Sequence, residues 1–130
     1  VSEIKRSILG EDDKKNFLAE AKSISQLARI LAEKHNPKAE EQFRRALSKL
    51  ERGSANYKIT QSYLLHFYAD MGMKEKYETE VTDYFEGKRT YSQRLKYIIK
   101  LSEDTDSVYS NEYALYVLIT GLFRFSIDSI

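Results

Sequence analysis

The sequence contains no cysteine and no tryptophan, one proline, five glycines and two histidines. Without cysteine there is no disulfide framework, zinc–thiolate site, iron–sulfur cluster or thiol nucleophile. The compartment stays open, because cytosolic and secreted chains alike can lack that residue. Proline and glycine average roughly 5% and 7% of residues in ordinary proteins. Their scarcity here argues against a many-turned β-sandwich and for a few long helices. Neither sign of charge dominates: 21 Lys plus Arg stand against 20 Asp plus Glu, a net charge of +1. A chain so balanced projects no general field to draw in nucleic acid or an anionic membrane, and neither is an expected partner. Long hydrophobic runs are missing too. The longest, Tyr113 to Phe123, is closed by Arg124, short of the ~20 apolar residues a bilayer span requires.

What is present is helical periodicity. The 130 residues are enough for one compact domain or a piece of a larger one. Between Glu11 and Lys34 the apolar positions Phe17, Ala21, Ile24, Leu27, Ala28 and Leu31 are spaced by threes and fours, which places them on one helical stripe. Asn36 is a capping residue, Pro37 fits a first helical position, and Glu40 and Glu41 favour the positive end of the helix dipole. Ala39, Phe43, Ala46, Leu47 and Leu50 then form a second stripe that Gly53-Ser54 ends. A third helix starts near Asn56, with Tyr63, Leu64, Phe67, Tyr68 and Met71 on one face and Gly72 as a C-terminal cap. Tyr77, Val81, Tyr84 and Phe85 make a shorter stripe that stops at Gly87, and Leu95, Ile98 and Ile99 mark a helix over 91–102. A leading helix over 2–9, ended by Gly10, and a last one from about Val108 complete the reading. For Leu122 to Ile130 a strand is the alternative, since Phe123, Phe125 and Ile127 alternate. The expectation is an all-α fold of six or seven helices with short connections, an antiparallel αα-hairpin array.

Two segments line up as a repeat. In Asn36-Pro37-Lys38-Ala39-Glu40-Glu41-Gln42-Phe43-Arg44-Arg45-Ala46-Leu47, a small residue is followed by an aromatic four positions on and a small residue three further. This resembles the second helix of a tetratricopeptide (TPR) repeat. Leu64 to Gly72 resembles a TPR first helix, with Leu64 and Tyr68 at the hydrophobic and aromatic positions and Gly72 at the turn. Tyr77, Val81 and Tyr84 take the places of Ala39, Phe43 and Ala46, 38 residues on. The family's period is 34, Leu65 and Tyr77 stand where it prefers small residues, and no Trp opens either helix. The resemblance covers residues 22–86. It implies a TPR-like superhelix, whereas the stripes alone also fit an irregular helical bundle.

Little in the sequence points to a reaction. His35 ends a helix, where capping accounts for it. His66 has Asp70 four residues on but no second His at ligand spacing. Asp104-Thr105-Asp106 lacks the third ligand and the glycine of an EF-hand loop, and Glu86 to Thr90 lacks the earlier glycine and following hydroxyl of a phosphate-binding loop. Solvated Glu and Arg pairs, and no Ser in a nucleophile elbow, leave no catalytic residues, no metal ligands and no cofactor to expect. The ten tyrosines, many beside basic residues, suggest an amphipathic groove instead. Phenol faces would meet peptide side chains and cations would meet carboxylates.

These readings converge on a non-catalytic helical-repeat module that binds a protein or peptide. Tyr63, Tyr68, Lys74, Tyr77, Arg94 and Tyr97 are the candidate contacts. The resemblance also implies an alternative, an accessory TPR-like region of a larger bacterial enzyme or regulator, such as a thioredoxin-fold or peptide-sensing protein. A start at Val1 suits a processed protein and an excised domain equally, so a single helical domain and a fragment of a longer chain are both expected. The last helix is apolar on nearly every side, unlike the polar end cap an array needs. Tyr116, Ile119, Leu122 and Phe123 are therefore candidate interface residues, for a homodimer through this helix or for missing sequence.

Overall fold

The computed structural model of the protein describes residues 11–103 and 114–121. Every regular element among them is a helix: α1 (Glu11–Glu33), α2 (Lys38–Ser48), α3 (Ala55–Asp70), α4 (Lys74–Tyr84), α5 (Tyr91–Ser102) and α6 (residues 114–121). The fold is all-α, as the periodicity requires. The helix expected over 2–9, the start signal at 104–107 and the helix-or-strand question over 122–130 lie outside the described residues, as do Leu122 and Phe123.

The chain groups into two compact units, Val1–Arg52 and Gly53–Ile130. In the first, α1 packs against α2. Ala21, Ile24 and Ala28 are buried on one helix, and Ala39, Phe43, Ala46 and Leu47 on the other. The alanines let the backbones approach and Phe43 fills the space between their rows, which is why a small–aromatic–small spacing marks this helix. Leu27, expected in the buried stripe, is exposed together with Ile30. At 3.6 residues per turn, Leu27 lies about 90° around α1 from the centre of the Ala21–Ile24–Ala28 face. An ion pair, Lys49 Nζ to Glu20 at 3.2 Å, crosses the two helices at the surface, where such pairs contribute about 0–1 kcal/mol.

In the second unit α3 packs against α4. Ser54 caps α3 by accepting the Tyr57 N–H at 3.2 Å. Nine residues of α3 are buried, among them Thr60, Gln61 and Ser62 as well as Leu64, Leu65, Phe67 and Tyr68. The helix is thus enclosed on more than one side, and its buried polar groups require partners. Ser62 Oγ donates to the Ile59 carbonyl at 2.5 Å. The Gln61 amide donates to Glu80 Oε2 at 2.6 Å and Asp83 Oδ2 at 2.8 Å, which fixes α3 to α4.

Three helices end by one device. After α1, the Asn36 N–H donates to the Leu31 carbonyl (2.9 Å) and the His35 N–H to Ala32 (3.0 Å). Met73 and Gly72 repeat this on Tyr68 and Ala69 after α3, and Gly87 and Glu86 on Thr82 and Asp83 after α4. Such an end needs one residue with left-handed backbone. Gly72 supplies it at φ 70°, whereas His35 (φ 55°) and Glu86 (φ 53°) do so without being glycine. Asn36 then opens α2, its side chain accepting the Lys38 N–H at 3.0 Å, with Pro37 already at helical angles.

Candidate functional site

Most of the tyrosines and cations singled out in the sequence serve the fold. Tyr68 and Tyr77 are fully buried and Arg94 is only 4% exposed, so these three present no surface to a partner. This corrects their expected role. The Tyr77 hydroxyl and the Arg94 guanidinium find partners inside the protein, and the Tyr68 ring packs beside that of Phe67. The Tyr77 hydroxyl donates to the Val117 carbonyl at 2.9 Å, tying α4 to α6. Burial raises its pKa well above the usual phenol value, against the lowering effect of the nearby Arg94 charge. Tyr63 and Tyr97 are half-buried and Lys74 is exposed. The structure therefore does not bring the six residues together as one exposed groove.

Around the α4–α5 connection the cations stack on aromatic rings. Lys58, buried on α3, donates to the Tyr84 carbonyl at the C-terminal end of α4, where the helix dipole favours a cation. Its Nζ lies 4.7 Å from the Tyr84 ring centre and 5.6 Å from that of Tyr97, and Lys88 approaches Tyr97 at 5.1 Å. The Tyr97 hydroxyl donates to Glu86 Oε1 at 3.2 Å. Burial first, and then the Glu86 charge and hydrogen bond, push that phenol up to about 12. Arg94 lies over Phe85 at 5.4 Å, donates through Nε to the Lys88 carbonyl at 3.0 Å and reaches Thr82 Oγ1 at 3.5 Å. Its pKa is lowered, chiefly by burial; Tyr77 and Glu78 oppose this and Arg89 adds to it. A capping box starts α5: Gln93 N–H donates to Thr90 Oγ1, while Gln93 Oε1 accepts the Arg89 and Thr90 N–H groups. Of the two cations expected to greet a ligand, Lys74 is exposed and Arg94 ties α5 to the α4–α5 connection instead.

Exposed large apolar side chains occur on α1 (Leu27, Ile30), on α5 (Ile99) and, three together, on α6. Ala114, Val117, Leu118 and Gly121 are buried, whereas Leu115, Tyr116 and Ile119 are 43%, 58% and 42% exposed. These three share one face at helical spacing. The Tyr116 ring is stacked on His66 from α3, centroids 4.2 Å apart and tilted by 41°. That contact holds the largest side chain of the face against the body of the unit. Of the expected interface residues, Tyr116 and Ile119 are thus at the surface. His66 is engaged with an aromatic ring, and His35 is exposed in its left-handed turn. Among the described residues, no group of three or more His, Asp or Glu side chains is placed to hold a metal ion, and no helix is long and apolar enough to cross a membrane.

No family model matches the chain, and neither a curated protein nor a solved structure is significantly similar to it.

Proposed function

We propose that this chain is a non-catalytic helical protein-interaction module, and that it binds through α6 rather than through a tyrosine-lined groove. The observation that carries this reading is the exposed trio Leu115, Tyr116 and Ile119 on one helical face. Large apolar side chains grouped on a soluble protein's surface mark contact sites more often than they mark chance. Tyr is also enriched among the residues that dominate binding energy. The stack on His66 supports the reading, since a side chain held in place before binding loses less freedom on contact. The TPR-like arrangement remains part of the proposal. It is supported by the burial of Ala39, Phe43 and Ala46 and of Tyr77, Val81 and Tyr84, the positions that line up in the sequence.

The test is display selection of peptides and small domains on the purified chain, followed by Tyr116→Ala and Ile119→Asp. Binders are expected, and each variant is expected to weaken them at least ~10-fold while circular dichroism and melting stay as in the wild type. A selection without binders, or binders indifferent to both variants, refutes the proposal.

A further inference from the structure

We propose that the turn Met71–Gly72–Met73 is an oxidation site, where a peroxide-class oxidant converts both thioethers to sulfoxides and loosens the junction of α3 with α4. The inference is independent of the reading of α6 as the binding face.

Sulfur is confined to this turn. The chain has two methionines and no cysteine, and the two stand on either side of one glycine where α3 ends. A thioether, unlike a thiol, needs no deprotonation to act as a nucleophile, so access decides its reactivity. Met71 and Met73 are both half-buried and keep part of their surface in solvent, whereas Phe67 and Tyr68, one turn earlier, are fully enclosed.

The step is a two-electron oxygen transfer. A sulfur lone pair attacks one peroxide oxygen and the O–O bond breaks. The departing hydroxide takes the proton from the new S–OH and leaves as water, so the sulfur is oxidised and the peroxide reduced. One peroxide is consumed per sulfur.

The position of the two side chains gives the product a structural effect. The Met73 N–H donates to the Tyr68 carbonyl at 2.9 Å and the Gly72 N–H to that of Ala69 at 3.1 Å, with Gly72 left-handed at φ 70°. In a helix end of this kind the residue after the left-handed one commonly sets an apolar side chain against the residue five positions earlier. Here those residues are Met73 and the fully buried Tyr68. Met73 also opens α4: its carbonyl accepts the Tyr77 N–H at 2.9 Å, and its thioether makes no capping hydrogen bond. Met71 is the C-cap of α3 and donates its N–H to the Phe67 carbonyl at 3.0 Å. Oxidation turns each flexible apolar side chain into a polar one with a strong acceptor. Held in place, that oxygen is desolvated; turned out to water, it withdraws the side chain from the junction. Both routes weaken the turn that closes α3 and starts α4.

The test treats the full chain with hydrogen peroxide beside free N-acetylmethionine amide, and follows intact mass, peptide maps and thermal melts. Wild type, Met71→Leu, Met73→Leu and the double variant are compared, since Leu keeps the apolar volume without the sulfur. Both sulfurs of the folded wild type are expected to oxidise within ~10-fold of the rate of the free compound. The doubly oxidised protein should melt at least ~3 °C lower. Reduction by the two epimer-specific methionine sulfoxide reductases should restore the melting temperature. The double variant should melt unchanged after peroxide, and each single variant should show only part of the wild-type shift. Any of three results overturns the proposal: a sulfur that reacts more slowly than that limit, an oxidised wild type that melts with the untreated protein, or a double variant destabilised as much as wild type. Should the double variant fail to fold, the wild-type melt before and after the reductases still decides.

Discussion

Replacing Tyr77 separates two contributions that the structure assigns to one side chain. The ring is fully buried in α4, and the hydroxyl donates to the Val117 carbonyl in α6 at 2.9 Å. Tyr77→Phe keeps the ring and removes one buried hydrogen bond, leaving the carbonyl without that donor. A buried bond of this kind contributes about 1 kcal/mol net, and an orphaned partner raises the loss toward 2 kcal/mol. Tyr77→Ala removes the ring as well and leaves a cavity, so its cost should reach about 3–5 kcal/mol. Urea unfolding of both variants measures these losses, and for a chain of this size each kcal/mol corresponds to about 4 °C in Tm. Because the bond joins α4 to α6, Tyr77→Phe should also speed amide hydrogen exchange in residues 114–121 more than in α1 or α2. A Tyr77→Phe protein within ~0.3 kcal/mol of wild type, with unchanged exchange in α6, would refute the bond as a tie between these helices.

The same hydroxyl predicts alkaline behaviour. Its folded-state pKa lies above the ordinary 10.0, so the stabilisation is complete below pH 10 and is lost as pH rises past 10 toward the folded value. Tyr77→Phe should therefore lose less stability than wild type between neutral and strongly alkaline pH, read from urea midpoints. Arg94→Lys keeps the charge but loses the planar stack on Phe85 and the Nε bond to the Lys88 carbonyl. A cost of about 1–2 kcal/mol is expected for Lys and more for Ala, and equal costs would argue against the guanidinium geometry. His35 sits at φ 55°. His35→Gly should raise stability by about 0.5 kcal/mol and His35→Val lower it by about 1–2 kcal/mol; the reverse order in thermal melts would contradict the left-handed turn.

The helices were legible in the sequence because their punctuation is local. Pro37, Ser54 and Gly72 act through their own backbone and the next turn, so residue type and position suffice. His35 and Glu86 take the same left-handed turn without glycine, and nothing in their identity announces it. The sites of Tyr68, Tyr77 and Arg94 were illegible for another reason. A tyrosine beside basic residues reads alike whether its hydroxyl meets water or a carbonyl 40 residues away, as that of Tyr77 does. The orientation of α6 was equally hidden, since a helix apolar all round has no stripe to read. One signal was available: Ala114 and Gly121, its smallest residues, mark the face that lies closest to the body, and Leu115, Tyr116 and Ile119 are what remains outside.

Site-specific photo-crosslinking compares the two candidate surfaces in a single experiment. A benzophenone amino acid is placed at Tyr116 on α6 and, in a separate protein, at the exposed Lys74 near the tyrosine cluster. Each is irradiated with the selected binders and at high concentration alone. Covalent products from position 116, to a binder or to a second copy, and none from position 74 are the predicted result. Products from position 74 with none from 116 would contradict α6 as the binding face.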